Sequence, residues 1–96
     1  MQLYGVQSTA LRYFLEVARC GSISEASIRL NVASSAVSRQ ISKLERELDA
    51  VLFERQARGM MLSEAGVRLA AYARKSQLEA EQVVLEITEL QGLQRG

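Results

Sequence analysis

Along this 96-residue chain, apolar positions recur with helical spacing in four stretches, and one short stretch between the last two reads as a pair of strands. From about Ser8 to Cys20, the residues Leu11, Phe14, Leu15 and Ala18 fall at i, i+3, i+4 and i+7 and predict a first helix. Ser8 or Thr9 is placed to cap it, and Gly21 to end it. Ser24 is expected to cap a second helix running to about Leu30, with Ile23 packing on Ile28 as a hydrophobic staple and Asn31 closing the helix in a left-handed conformation. A third helix is expected from near Ser34 to about Leu48, because Val37, Ile41, Leu44 and Leu48 form one stripe to bury. Ser34 or Ser35 is left to cap it, since Ala33 has no hydroxyl.

After the third helix, Val51-Leu52-Phe53 with Glu54 and Arg55 reads as one short strand and Met60-Met61-Leu62 as another, with Ala57-Arg58-Gly59 as the hairpin tip. Ser63 then caps a final helix of about 28 residues, which at 1.5 Å per residue spans about 42 Å, too long to fold back on so small a domain. Within it Leu69, Ala73, Ser76, Ala80, Val83, Ile87 and Leu90 recur at intervals of four and three. That period of 3.5 suits packing against a second helix, so these residues are the expected dimer interface. The fold class is mostly α: a winged helix-turn-helix of three helices and a two-stranded β-hairpin, followed by a long C-terminal helix. Residues 1–62 are the head, 63–92 the long helix and 93–96 a tail.

The third helix carries the candidate chemistry. With its aliphatic stripe turned inward, the opposite flank displays Ser35, Ser38, Arg39, Ser42 and Arg46. Serine is a mediocre helix former, and its repetition on one flank calls for a reason. Hydroxyls exchange hydrogen bonds with base edges or phosphates, and Arg39 can grip a guanine with two bonds or clamp a phosphate. Lys43 adds a cation for phosphate neutralisation, and the helix dipole draws phosphate toward Ser34 and Ser35. In the hairpin, Arg58 is the candidate for the minor groove, and Arg55 for a phosphate or a structural ion pair. Read alone, each of these features is also what a solvated helix face or a solubilising turn looks like. Their adjacency is what favours double-stranded DNA as the partner.

Composition changes this picture little. Twelve Lys and Arg against eleven Asp and Glu give +1, and a near-neutral balance neither announces nor excludes nucleic acid. The residues up to Leu62 hold eight basic and six acidic side chains, a net of +2, and the remainder four and five, a net of −1. There is no histidine, no glycine-rich phosphate cradle and no gathered set of carboxylates, so the chain is not expected to be an enzyme or to need a metal or cofactor. The single cysteine, Cys20, has no internal partner and reads as a packing residue in a reducing, cytoplasmic setting. No stretch has the length and apolarity of a membrane span, and the acidic polar face of the last helix opposes an anionic lipid surface.

Three runs then coincide: Leu11-Arg12-Tyr13-Phe14-Leu15-Glu16-Val17-Ala18, Gly21-Ser22-Ile23-Ser24-Glu25-Ala26 and Ala36-Val37-Ser38-Arg39-Gln40-Ile41. With Leu44-Glu45-Arg46-Glu47-Leu48, Leu52-Phe53-Glu54-Arg55, Arg58-Gly59 and Leu62-Ser63-Glu64-Ala65-Gly66 they make roughly residues 8 to 92 resemble the LysR-type transcriptional regulators. The resemblance implies a homodimer, or a tetramer in the full-length protein, paired through a linker helix and bound to an interrupted inverted repeat in promoter DNA. By position it implies groove contacts from Ser38 and Arg39, base reading at Ser34 and Ser35, a wing arginine at Arg58, and phosphate contacts from Ser24 and Ser42. Where the family often has serine, glutamine and proline, this chain has Ala33, Ser34 and Ser35, so the base preference of relatives does not transfer. Family members continue into an effector-binding domain, which makes this sequence either an excised fragment or a short regulator. Two rival readings stay open here: a molybdate-responsive type of winged-helix DNA-binding domain, and a winged-helix module that binds a protein partner.

Overall fold

A computed structural model describes residues 8–95. The order of elements is α1 (Thr9–Cys20), α2 (Ile23–Leu30), α3 (Ser34–Leu48), β1 (Phe53–Gln56), β2 (Gly59–Leu62) and α4 (Glu64–Arg95). Phe14, Val17, Ala26, Val37, Ile41, Leu44, Leu52 and Phe53 form the centre of one core into which α1, α2, α3 and the hairpin all send side chains. The Phe14 and Phe53 rings tie α1 to β1, with centroids 5.3 Å apart and planes at 51°, a tilted geometry that aromatic pairs favour.

Local chemistry explains most element ends. Ser8 Oγ accepts from the Leu11 amide and caps α1, and Gly21, at φ 71°, closes it in the left-handed region. Asn31 ends α2 at φ 59° as expected, and Asp49 does the same for α3 at φ 51°. The cap of α2 is Ser22, not Ser24: Ser22 is extended and its Oγ accepts from the Glu25 amide at 3.2 Å. The Ser22-Ile23-Ser24-Glu25 run has the serine-to-glutamate spacing of a capping box, a signal that points to this start. Ile23 therefore lies inside the helix and packs against the core, while Ile28 is 77% exposed, so no staple forms between them.

Three further expectations shift. Ala33 occupies the cap position of α3 without a side-chain bond, and neither Ser34 nor Ser35 replaces the missing hydroxyl. Leu48, at the last turn of α3, is 50% exposed, because the chain departs at Asp49 and nothing in the head covers the end of the stripe. The first strand begins at Phe53, and Val51 is exposed. Its carbonyl accepts from Ser63 Oγ at 2.6 Å instead of joining the ladder.

The wing is antiparallel, with Phe53 opposite Leu62 and Gln56 opposite Gly59, so Ala57 and Arg58 alone form the turn and Gly59 belongs to β2. Backbone contacts hold it in place. The Met60 amide donates to the Gly21 carbonyl at 3.0 Å and the Ser63 amide to the Leu52 carbonyl at 2.9 Å. Gly59 has φ 123°, and a β-carbon there would stand 2.6 Å from the Gly21 oxygen; one on Gly66 would overlap the Leu52 oxygen. Both sites need glycine because two backbones meet there.

Ser63 caps α4 as expected, its Oγ accepting from the Gly66 amide at 3.0 Å. The helix has 32 residues and continues through Gly92 to Arg95, past the expected end; the tail residue Gly96 and the first seven residues of the head lie outside the described residues. The recurring seam is divided. Ala73 is part of the core and Leu69 packs against it, and Ser76 and Ala80 are also buried in the single chain, whereas Val83, Ile87 and Leu90 are exposed. The first half of α4 is thus spent partly on its own head, in contact with α1 and β2. No helix among the described residues is long and apolar enough to cross a membrane.

Candidate nucleic-acid interface

Helix α3 buries Val37, Ile41 and Leu44, which fixes its rotation about its own axis. Ser35, Ser38, Arg39, Ser42, Lys43 and Arg46 are all exposed as a result. Between the first turns of α3, the start of α2 and the wing lies an open cleft of about 510 Å³. It gathers five of the sequence-predicted residues, Ser24 of α2, Ser34, Ser35 and Ser38 of α3, and Arg55 of β1.

The remaining candidates sit outside that cleft. Ser42 faces a second, shallower groove at the far end of α3 with Arg46, Asp49 and Val51. Arg58 occupies the exposed tip of the hairpin. Among the described residues the ion pair is Arg19 with Glu16 on α1, at 3.5 Å. The arginines of α3 and the wing therefore make no ion pair among the described residues.

Three residues of the site escape the reading of the sequence. Gln56 lines the cleft beside Arg55, and its place follows only once the turn is known to be two residues. Ser22 lines it too while capping α2. Ser27, buried on α2, donates from Oγ to the Ser24 carbonyl at 2.7 Å and contacts Ser34 Oγ at 3.1 Å, so it braces the turn between α2 and α3. Beneath the far end of α3, Glu45 Oε2 accepts from the Leu52 amide at 2.8 Å and joins the helix to the approach of the wing.

Cys20, at the end of α1, is half-buried against the core, as expected of a packing residue. Loss of hydration, followed by the nearby Glu16 carboxylate, pushes its thiol above the usual range. It stays neutral at physiological pH.

An arrangement of exposed hydroxyls and unpaired guanidiniums over one helix flank, with a slender basic hairpin beside it, can neutralise phosphates and exchange hydrogen bonds with base edges. Comparisons with known proteins agree. The model of the bacterial regulatory helix-turn-helix protein, lysR family, matches residues 8–67. The HTH-type transcriptional regulator ClcR of Pseudomonas putida is 45% identical over 65 residues, which are 68% of this chain and 22% of ClcR. The nitrogen assimilation regulatory protein nac of Klebsiella aerogenes is 35% identical over 86 residues, 90% of this chain and 28% of nac. The chain thus spans about a quarter of the length of these relatives. Among solved structures, the DNA-binding domain of BenM in complex with benA site 1 DNA superposes with a TM-score of 0.80 at 32% identity, covering 94% of this chain and 99% of that one. The chain belongs to the lysR family of bacterial regulatory helix-turn-helix proteins.

Proposed function

We propose that this chain is the sequence-specific DNA-binding part of a LysR-type transcriptional regulator, acting in the cytoplasm on an interrupted inverted repeat. Residues 1–62 are the reading head and 63–92 the helix that pairs two heads. Helix α3 enters the major groove, where Ser35, Ser38 and Arg39 meet base edges, while Lys43, Arg55, Ser24 and Ser42 hold phosphates and Arg58 approaches the minor groove. The observation that carries this reading is the free polar flank of α3 beside a wing whose arginines have no carboxylate partner among the described residues. BenM supports it, since its DNA-binding domain has the same fold and was solved on DNA. Pairing falls to Val83, Ile87 and Leu90, the exposed end of the seam, because Ala73 lies in the core, Leu69 packs against it, and Ser76 and Ala80 are already buried in the single chain.

Affinity for duplexes selected from a random pool, measured across a salt series, tests the reading. Each phosphate neutralised contributes a slope of about −0.9 in log affinity against log salt, whereas a helix that binds a protein partner responds little. Ser38→Ala is expected to weaken the selected site more than random DNA, and Arg58→Ala to weaken A·T-flanked sites most. A flat salt response, or selected and random affinities both untouched by the two substitutions, defeats it. The selected site should itself be two-fold symmetric.

A further inference from the structure

A relay of hydroxyls runs from the interior of the turn to its surface. Ser27 is only 6% exposed, and its Oγ lies 2.7 Å from the Ser24 carbonyl oxygen and 3.1 Å from Ser34 Oγ. A hydroxyl has one proton and two lone pairs, and a carbonyl has no proton at all. The contact of Ser27 with the Ser24 oxygen therefore consumes the Ser27 proton, since two lone pairs held at that distance would repel. With that proton committed, the contact between the two hydroxyls requires Ser34 to donate to Ser27. The only proton of Ser34 is thus directed into the protein, while its side chain is exposed at the first turn of α3 and lines the cleft. Toward a ligand it presents lone pairs alone.

We propose that Ser34 reads DNA as an acceptor-only group and that Ser27 is the positioning residue that sets this polarity; the proposal rests on the DNA-binding reading above. In the major groove adenine offers the N6 amine and cytosine the N4 amine, whereas guanine and thymine present acceptors at O6, N7 and O4. An acceptor-only serine favours the two amine-bearing bases on the strand it touches and is repelled by the other two. For the same reason it is a poor ligand for a phosphate oxygen. Ser35 and Ser38 differ, because no hydrogen bond ties their hydroxyls to another described residue, and they rotate to donate or accept as the site requires. One hydrogen bond of this kind corresponds to a preference of about three- to tenfold.

The test compares the wild-type chain with Ser34→Ala and Ser27→Ala on a selected half-site and on every single-base-pair variant of it. Alanine at position 27 suits a helix and leaves Ser34 at the surface, where water satisfies it, so the melting temperature should fall by about 4–8 °C and the chain stays folded while its reading changes. The base pair whose preference disappears in Ser34→Ala should, in the wild type, group adenine with cytosine against guanine with thymine on one strand. Replacing the favoured base by an analogue without its exocyclic amine should cost the wild type the same three- to tenfold factor, estimated as about one hydrogen bond. Ser27→Ala should flatten or reverse that grouping and become insensitive to the analogue, with affinity for random DNA and the salt slope unchanged. The proposal is overturned if the responding position groups purines together or A·T pairs together, if the amine-free analogue binds the wild type equally well, if Ser27→Ala leaves the grouping intact, or if no position responds to Ser34→Ala. A wild-type chain with no salt-dependent affinity for any duplex would overturn the DNA-binding reading itself, a result distinct from all of these.

Discussion

Helix α3 and the wing border the same cleft but are held there by different means. The helix is oriented by side chains: Val37, Ile41 and Leu44 are buried, and the exposed flank has no part in that packing. The wing is positioned largely by backbone, through the Met60 and Ser63 amides and at two glycines where no β-carbon fits, with Phe53 as its main apolar anchor. The exposed flank of α3 is therefore free to vary in sequence without cost to the fold, while the wing has tolerance only at its tip. A reading surface built this way separates specificity from stability on the helix and couples placement to stability in the hairpin.

The comparison breaks first, and with the largest effect, at the glycines. Gly66→Ala forces a β-carbon into the Leu52 carbonyl and is expected to cost about 3 kcal/mol, at the upper end for overpacking. In a domain of this size that lowers the melting temperature by about 10 to 20 °C, which calorimetry reads directly. Gly59→Ala, which also carries the strain of φ 123°, should follow closely. If either glycine accepted alanine without a change in melting, the wing would not be backbone-placed.

The helix predicts the reverse pattern. Arg39→Ala should leave melting within about 0.5 kcal/mol of the wild type, as surface changes do. It should cost about 1–3 kcal/mol on the selected duplex if Arg39 holds a guanine with two bonds. A loss of stability comparable to that of Gly66→Ala would show that the flank is structural after all.

The smallest effect lies away from both regions. Because desolvation and Glu16 hold the Cys20 thiol above its usual range, alkylation of the folded chain should be slow at neutral pH and rise only in more alkaline solution than for an unfolded peptide. Equal rates for folded and unfolded chains at neutral pH would contradict this.

Much of the head was legible beforehand, and particular residues show why. The ends of α1 and α2 follow from apolar spacing and from Gly21 and Asn31, which accept a left-handed turn, both of them local properties. Ser22 was missed as the cap of α2 although its spacing to Glu25 marks it, because Ser24 satisfies the same residue preference two positions later. Leu48 and Ile28 carry the right period yet remain exposed, since burial depends on whether another element arrives to cover them. The seam of α4 has one period throughout, and nothing in it announces that Ala73 is taken by the core while Ile87 is left bare.

What the chain determined by itself was therefore the set of elements, the inward stripe of α3 and the identity of its polar flank, because spacing and capping act over three or four residues. The tertiary structure alone decided which of those polar residues share a cleft, that Arg55 is unpaired among the described residues, and that Ser34 is wired to Ser27. Each of these depends on distances between elements separated in sequence, and packing, rather than local preference, sets those distances.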